Sequence, residues 1–444
     1  MNTPIFDFLK KYTESGAKRF HMPGHKGKNF LGFEEYDLTE IEGADSLYDK
    51  SGIIEESERI ASALFGTPTY YSTEGSSHAI RAMLALFLSY TKKTGKEPLI
   101  YAPRNVHKSF VSAAALLDIS VTFIENSGDS PYLSSTLTPS EFDLILSKAE
   151  KLPSALYLTS PDYLGNIANV KGFSEVCKKY SMLLLVDNAH GAYLHFLRDK
   201  CHPIDLGADM AADSAHKTLP ALTGAAYLHL SRDMNELMKD EISETLLLFG
   251  STSPSYLTLS SLDLLNSYLS DYSERLSRFL PKVRKIKASL LSHGYTLIGD
   301  EELKITLSTK EFGYLGTEMS ERLSSLGIVA EFADRDNLVL MLTPENNDSE
   351  IEELENALLS FDRRNRIEEQ PPKVQPPTVV MGIREAVFKD KERLSVGDAI
   401  GRVVSSLAVS CPPAVPIVVS GELLTKEMAK ALEYYGVKHI FVVK

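Results

Sequence analysis

The chain has 444 residues, 43% hydrophobic and 24% charged, with a formal net charge of −13. That length exceeds one hydrophobic core and predicts a large domain with one or two smaller ones. The acidic balance argues against a nucleic-acid partner, which calls for a basic face, and leaves a field that would draw cations towards a cleft as readily as it keeps the protein dissolved.

Residues 2–10 contain Asp7 and lack the apolar core of a secretory leader. A short helix is predicted over 5–12, followed by glycine- and charge-rich loops to Asp49, which together read as an arm. His21 and His25 lie close enough in sequence to suggest a metal pair. Pro23-Gly24 breaks the helix that would align them, so no metal is expected. From 53 to about 255 apolar strands alternate with helical patterns, which predicts an α/β domain whose mainly parallel seven-stranded sheet carries helices on both faces. The strands are predicted at 69–72, 99–102, 121–125, 155–159, 182–186, 210–212 and 225–230. A helical stretch over 257–292 then bridges to a small α+β domain, with strands at 304–308 and 338–342 and helices at 317–326 and 349–359. The run from Gln370 to Pro377 is a proline-rich linker. The domain map is thus an arm at 1–50, a large domain at 51–255, the bridge and small domain at 256–365, a linker at 366–380 and a C-terminal domain at 381–444. The uncharged stretch 403–419 holds Pro412, Pro413 and Pro416, which rules against a spanning helix. Cys177, Cys201 and Cys411 show no paired or metal-ligand spacing, so reduced thiols and a cytoplasmic location are expected.

Chemistry concentrates around Asp213-Ser214-Ala215-His216-Lys217-Thr218. Lys217 reads as a Schiff-base lysine, with the hydroxyls of Ser214 and Thr218 on either side. An ordinary surface lysine at a strand end would look the same in isolation. Asp187, however, closes the apolar run 182–186, a strand of the kind buried on both faces of a parallel sheet. An acid and a lysine on neighbouring strand ends can face one ring at the edge where such sheets bind ligands. Pyridoxal 5′-phosphate asks for that pair: an amine for its aldehyde and an acid for its pyridine nitrogen. Gly75-Ser76-Ser77 opens a strong helix pattern and suits the phosphate, although a plain helix cap reads the same way. His107, in the polar loop after the strand at 99–102, is placed to stack on the ring, or is simply a solvated loop histidine.

With those residues stand Arg19 to Gly27 (Arg-Phe-His-Met-Pro-Gly-His-Lys-Gly), Thr39 to Asp45, Pro103 to Ser109, Thr159-Ser160-Pro161 and Ser214 to Pro220. Together they resemble the ornithine/lysine/arginine decarboxylases, fold-type-I pyridoxal-phosphate enzymes, in the short form without an N-terminal wing domain. The resemblance implies a transferase-like large domain in which Lys217 holds the cofactor and Asp187 keeps its ring nitrogen protonated. Gly75, Ser76, Ser77, Ser214 and His216 would serve the phosphate. His107 would cover one ring face and Ala189 leave room on the other, with His190 among the cofactor contacts. Ser251, Thr252 or Ser253 would reach the cofactor phosphate of a partner subunit, so at least a homodimer with shared sites is implied. The implied reaction is decarboxylation of a basic L-amino acid, arginine ahead of lysine and ornithine, with Glu42, Asp45 and Glu422 as candidates to meet its cationic side chain. Four places depart from the family pattern. Glu74 stands for an asparagine, Asp162 for a threonine, Cys411-Pro412-Pro413-Ala414 for a tyrosine, prolines and glycine, and Ser420 for a proline. They bear on specificity more than on cofactor binding. Transamination or aldol cleavage is an alternative, for which Arg335 is the obvious holder of a substrate carboxylate. A non-catalytic relative is another.

Overall fold

The computed structural model describes residues 2–125, 133–407, 409–411 and 415–444. Seven strands, β1 (Thr69–Ser72), β2 (Leu99–Pro103), β3 (Ser120–Ile124), β4 (Ala155–Thr159), β5 (Leu183–Asp187), β6 (Met210–Asp213) and β7 (Ala226–Leu230), form one sheet in the order β1-β7-β6-β5-β4-β2-β3. β5, β6 and β7 are buried at every residue, as strands covered on both faces are. β2 runs parallel to β3 and β4, and β5 parallel to β6, while β7 is antiparallel to both β6 and β1. The reversal at β7 has a local cause. The twelve residues 214–225 between it and β6 hold no helix longer than one turn, Ala215–Thr218, whereas a parallel return is usually made by a full crossover helix that recrosses the sheet.

The chain forms two compact units, each drawn from two stretches: Met1–Lys96 with Leu183–Leu276, and Glu97–Met182 with Ser277–Lys444. In the first, the arm begins with α1 (Pro4–Glu14), which has proline at its first turn, where no N–H partner is lost, and buries Ile5 and Leu9. Then come α2 (Ile53–Phe65) and α3 (Gly75–Thr94). The backbone N–H groups of Ile5 and Phe6 both donate to Asp263 Oδ2 at 2.9 Å. Ser57 Oγ, from α2, lies 2.6 Å from Asp263 Oδ1. One carboxyl on the helix Tyr256–Tyr268 therefore caps α1 and ties it to α2.

Burial pushes the Asp263 carboxyl up to about 6, against the pull of Ser57 and the two N–H donors. A folded-state value above the unfolded one means that its contribution is full below about pH 4 and is lost as pH rises through 6. Asp263→Asn, which cannot ionise, is expected to flatten the change in stability between pH 4 and 7 by about 1–3 kcal/mol. Denaturant melts of both proteins across that range check it, and parallel curves would contradict it.

The predicted helix 257–292 divides at a short turn, Leu269–Asp271, into Tyr256–Tyr268 and Tyr272–His293. In the second unit β2 leads to α4 (Lys108–Leu117). A four-stranded antiparallel sheet contains Lys304–Ser308 and Asn337–Met341. The C-terminal segment pairs Lys391–Ser395 with His439–Val443. Its Val396, Ile417, Met428, Leu432 and Val442 share one apolar cluster with Phe332 and Val339 of the small domain, which supplies the core that so short a segment could not build alone. No helix among the described residues is long and apolar enough to cross a membrane.

Candidate active site

β5 and β6 end level, with Asp187 in register with Ala212. Asp187 is 2% exposed, and its Oδ1 accepts the Ala189 N–H at 3.2 Å. Ala189 and His190 are buried in the turn that follows. From the one-turn helix after the neighbouring strand, Lys217 brings Nζ to 3.1 Å from His190 Nε2. His216, in the same one-turn helix, has its Nδ1 2.9 Å from the Ala225 carbonyl. Ser214 Oγ donates to Ser76 Oγ at 2.7 Å, so the lysine loop is fastened to the first turn of α3. Gly75 opens that helix at φ +75°, and a Cβ there would meet nothing within 4 Å, which leaves open space over the helix start. The Gly75 N–H donates to the Gly224 carbonyl at 2.7 Å, and the rest of the first turn of this 20-residue helix has no carbonyl of its own helix to donate to and carries the positive end of the dipole.

Glu74, immediately before that helix, carries a charge that would repel an anion if it turned towards this point. Its Oε1 instead accepts the N–H of Ser251 at 2.5 Å. Thr252 and Ser253 follow in the same exposed loop. Beside Lys217, the Thr218 Oγ1 is buried without a hydrogen-bond partner among the described residues. A lysine amine, an acid on the adjoining strand end, a helix start with two linked hydroxyls and a buried hydroxyl lacking a partner form a donor set that fits an aldehyde cofactor bearing a phosphate.

In the second unit His107 is the N-cap of α4. Its Nδ1 lies 2.7 Å from Ser109 Oγ and accepts the Ser109 N–H at 3.2 Å. Asn105 Oδ1 and Thr159 Oγ1, past or at the ends of β2 and β4, are buried without a partner among the described residues. The three acids expected to meet a cationic side chain have different settings. Glu42 is exposed on the arm. Asp45 accepts backbone N–H groups from Ser46, Ser51, Gly52 and Ile54. Burial would raise its carboxyl, but these donors bring it below the usual range. Glu422 is buried and meets the chain's own cation, with Arg104 Nη1 and Nη2 donating to its two oxygens at 2.8 and 3.0 Å. That pair spans 318 positions, so no local pattern could have shown it.

Two of the departures have structural occupations. Asp162 Oδ1 accepts the N–H groups of Leu164 and Asn166, and burial pushes its carboxyl up. Ser420 Oγ donates to the Ser406 carbonyl. Ala414, with Pro412 and Pro413, lies outside the described residues, and Cys411 is described only as the end of the strand Val409–Cys411. The sequence reasoning also missed His202, Asp213 and His229, which meet in the core behind β6. An acid closing the short apolar strand 210–212 was the one available signal.

The chain is similar to known proteins over most of its length. The families described as "Orn/Lys/Arg decarboxylase, major domain" and "Orn/Lys/Arg decarboxylase, C-terminal domain" match residues 3–290 and 365–442. The uncharacterized protein YaaO of Bacillus subtilis (strain 168) is 31% identical, with 97% of this chain and 94% of the relative covered. An arginine decarboxylase of the same organism is 28% identical, with 96% and 92% covered. The structure of the Escherichia coli constitutive lysine decarboxylase superposes with a TM-score of 0.78 at 18% identity, covering all of this chain and 82% of the other, which supports the shared fold.

Proposed function

The chain belongs to the Orn/Lys/Arg decarboxylase family, and from that premise we propose that it decarboxylates a basic L-amino acid, arginine ahead of lysine and ornithine, with pyridoxal 5′-phosphate held at Lys217. The observation that carries the proposal is the meeting of Asp187, His190, Lys217, Ser76 and Ser214 at two level strand ends and one helix start. When bound, the cofactor supplies an electron sink for the pair released as the Cα–carboxylate bond breaks.

The residues have separate tasks. Ser76, Ser77 and Ser214, with the open backbone at Gly75, would hold the phosphate, and His216 stands beside them. Asp187 would pair with the protonated ring nitrogen. His190 is placed to take and return a proton at Lys217 Nζ. By the resemblance His107 would cover one ring face, with Ala189 leaving room on the other. Thr252 and Ser253 would serve the site of a second subunit, which makes the proposed protein a homodimer or larger. Of the three acids, Asp45 and Glu422 are already engaged, so Glu42 carries the proposal for the cationic side chain. A cytoplasmic location belongs to the same reading.

The preference for arginine leans on the arginine decarboxylases among the relatives. Comparing kcat/KM for arginine, lysine and ornithine tests it, and a higher value for either of the others would overturn it. Transamination would need a cation for the substrate's α-carboxylate. Arg335 is already paired with Glu369 at 2.5 Å and lies 4.9 Å over the Tyr434 ring. Arg335→Gln is therefore expected to keep kcat/KM within about threefold, as for other surface ion pairs. A collapse of turnover would favour the transaminase reading.

A further inference from the structure

β6 ends in a carboxylate for which the proposed chemistry has no use. Asp213 is 0% exposed. Its Oδ1 accepts Asn188 Nδ2–H at 2.7 Å, and its Oδ2 lies 3.0 Å from His202 Nε2 and 3.2 Å from His229 Nε2. The tautomers follow from the other ring nitrogens. His202 Nδ1 accepts the Ile204 N–H at 3.3 Å, so its proton sits on Nε2 and points at Asp213. His229 Nδ1 is 2.9 Å from Thr69 Oγ1, which can donate to it and leave Nε2–H for Asp213. Three N–H donors thus converge on one buried carboxylate. Burial opposes its charge, yet the two imidazoles outweigh burial and hold it well below the usual carboxylate range. The three ligand atoms of His202, Asp213 and His229 lie within 4.8 Å of one another, as around a metal ion. His202 Nε2, however, spends its position on a proton, so this is a hydrogen-bonded anion.

What that anion grips decides its role. Asp187 and Ala212 share one face of the sheet, so the next residue of each strand, Asn188 and Asp213, meets its partner on the opposite face. Asn188 also begins the turn closed by the Gly191 N–H to the Asn188 carbonyl at 2.8 Å. A Cβ at Gly191 would come within 2.0 Å of Asn188 Oδ1, so the turn is built tightly around that amide. The turn carries His190, and His190 contacts Lys217, four residues after Asp213. Two contacts, Asp213 to Asn188 and Lys217 to His190, therefore close a ring through two short pieces of chain.

We propose that Asp213 is a positioning residue for Lys217: through Asn188 it fixes the turn that presents His190 to the lysine amine, with His202 and His229 holding the carboxylate in place. The proposal rests on Lys217 being the cofactor lysine. It is tested partly in cofactor-free protein, where the reactivity of the Lys217 amine is read directly by acetic anhydride labelling and peptide mass spectrometry, scaled to exposed lysines.

Asn188→Asp sets a second carboxylate against Asp213 and removes the donor. It is expected to change the Lys217 labelling rate several-fold and to lower kcat by about 10- to 100-fold, as misplacement on the ångström scale does, with KM within about twofold. Exchanging the two groups, Asp213→Asn together with Asn188→Asp, restores a donor opposite an acceptor and leaves a carbonyl oxygen for both imidazoles. It is expected to recover the labelling rate and most of kcat. A wild-type labelling rate in Asn188→Asp, or a folded exchange variant that recovers nothing, overturns the proposal. Should Asn188→Asp fail to fold, Asn188→Ala takes the same readings. Retention of the cofactor's visible absorbance in Lys217→Ala would instead overturn the cofactor assignment, whatever the labelling shows.

Discussion

Lys217→Ala is expected to lose the visible absorbance of the lysine-bound cofactor and more than about three orders of magnitude of turnover, while folding as the parent does. The size follows from what is removed. In the proposed reaction the lysine amine is both the attachment point and the group that must be returned after each cycle, and no second lysine lies in the stretch 213–218 to replace it. The fold should tolerate the change. The backbone of the loop keeps its bonds, Lys217 N to the Ser214 carbonyl and Leu219 N to the Ala215 carbonyl, and the Ser214 to Ser76 contact does not involve the lysine. Absorbance spectra with added pyridoxal phosphate, beside a thermal melt, check both halves. Colour that persists in the variant would place the attachment elsewhere.

Arg104→Met is expected to cost about 3–5 kcal/mol of stability, the usual loss when one partner of a buried ion pair is removed. Arg104 and Glu422 have side chains 13% and 3% exposed. Arg104 also donates to the Ile417 carbonyl at 3.2 Å, and Glu125 approaches it at 3.4 Å. Burial works against the guanidinium's charge, but Glu422 and Glu125 hold its proton more firmly than usual. Without it, Glu422 would keep, among the described residues, the Val419 N–H at 2.8 Å and stay buried without its guanidinium partner. Arg104→Met with Glu422→Met should recover much of the loss, because an apolar pair replaces the ionic one. Chemical denaturation of the three proteins decides it, and a single-variant loss below about 1 kcal/mol would contradict the argument.

The parts of this molecule legible in the sequence are those written in local pattern. β5 shows as an unbroken apolar run up to its closing Asp187, and β1 and β4 match their predicted limits to the residue. Asp187 and Lys217 stand out because each directly follows, or nearly follows, such a run, and strand ends are where these sheets bind. The direction of β7 was not legible, since side-chain alternation carries no sense of polarity along the sheet. The division of the long helix at Leu269–Asp271 was equally hidden, because Pro281 is tolerated inside the second helix while the break falls at a stretch with no proline or glycine. Contacts made in three dimensions were out of reach. Asp213 meets His202 and His229 across 11 and 16 positions with no shared period. Glu422 was noticed through a family resemblance, but its engagement with Arg104 needed the structure.

The most direct measurement is release of carbon dioxide from carboxyl-labelled arginine, lysine and ornithine by the purified protein loaded with pyridoxal phosphate, with Lys217→Ala alongside. The account predicts release from at least one of the three, arginine fastest, and none from the variant. A protein that binds the cofactor at Lys217 and releases nothing from any of them would contradict it.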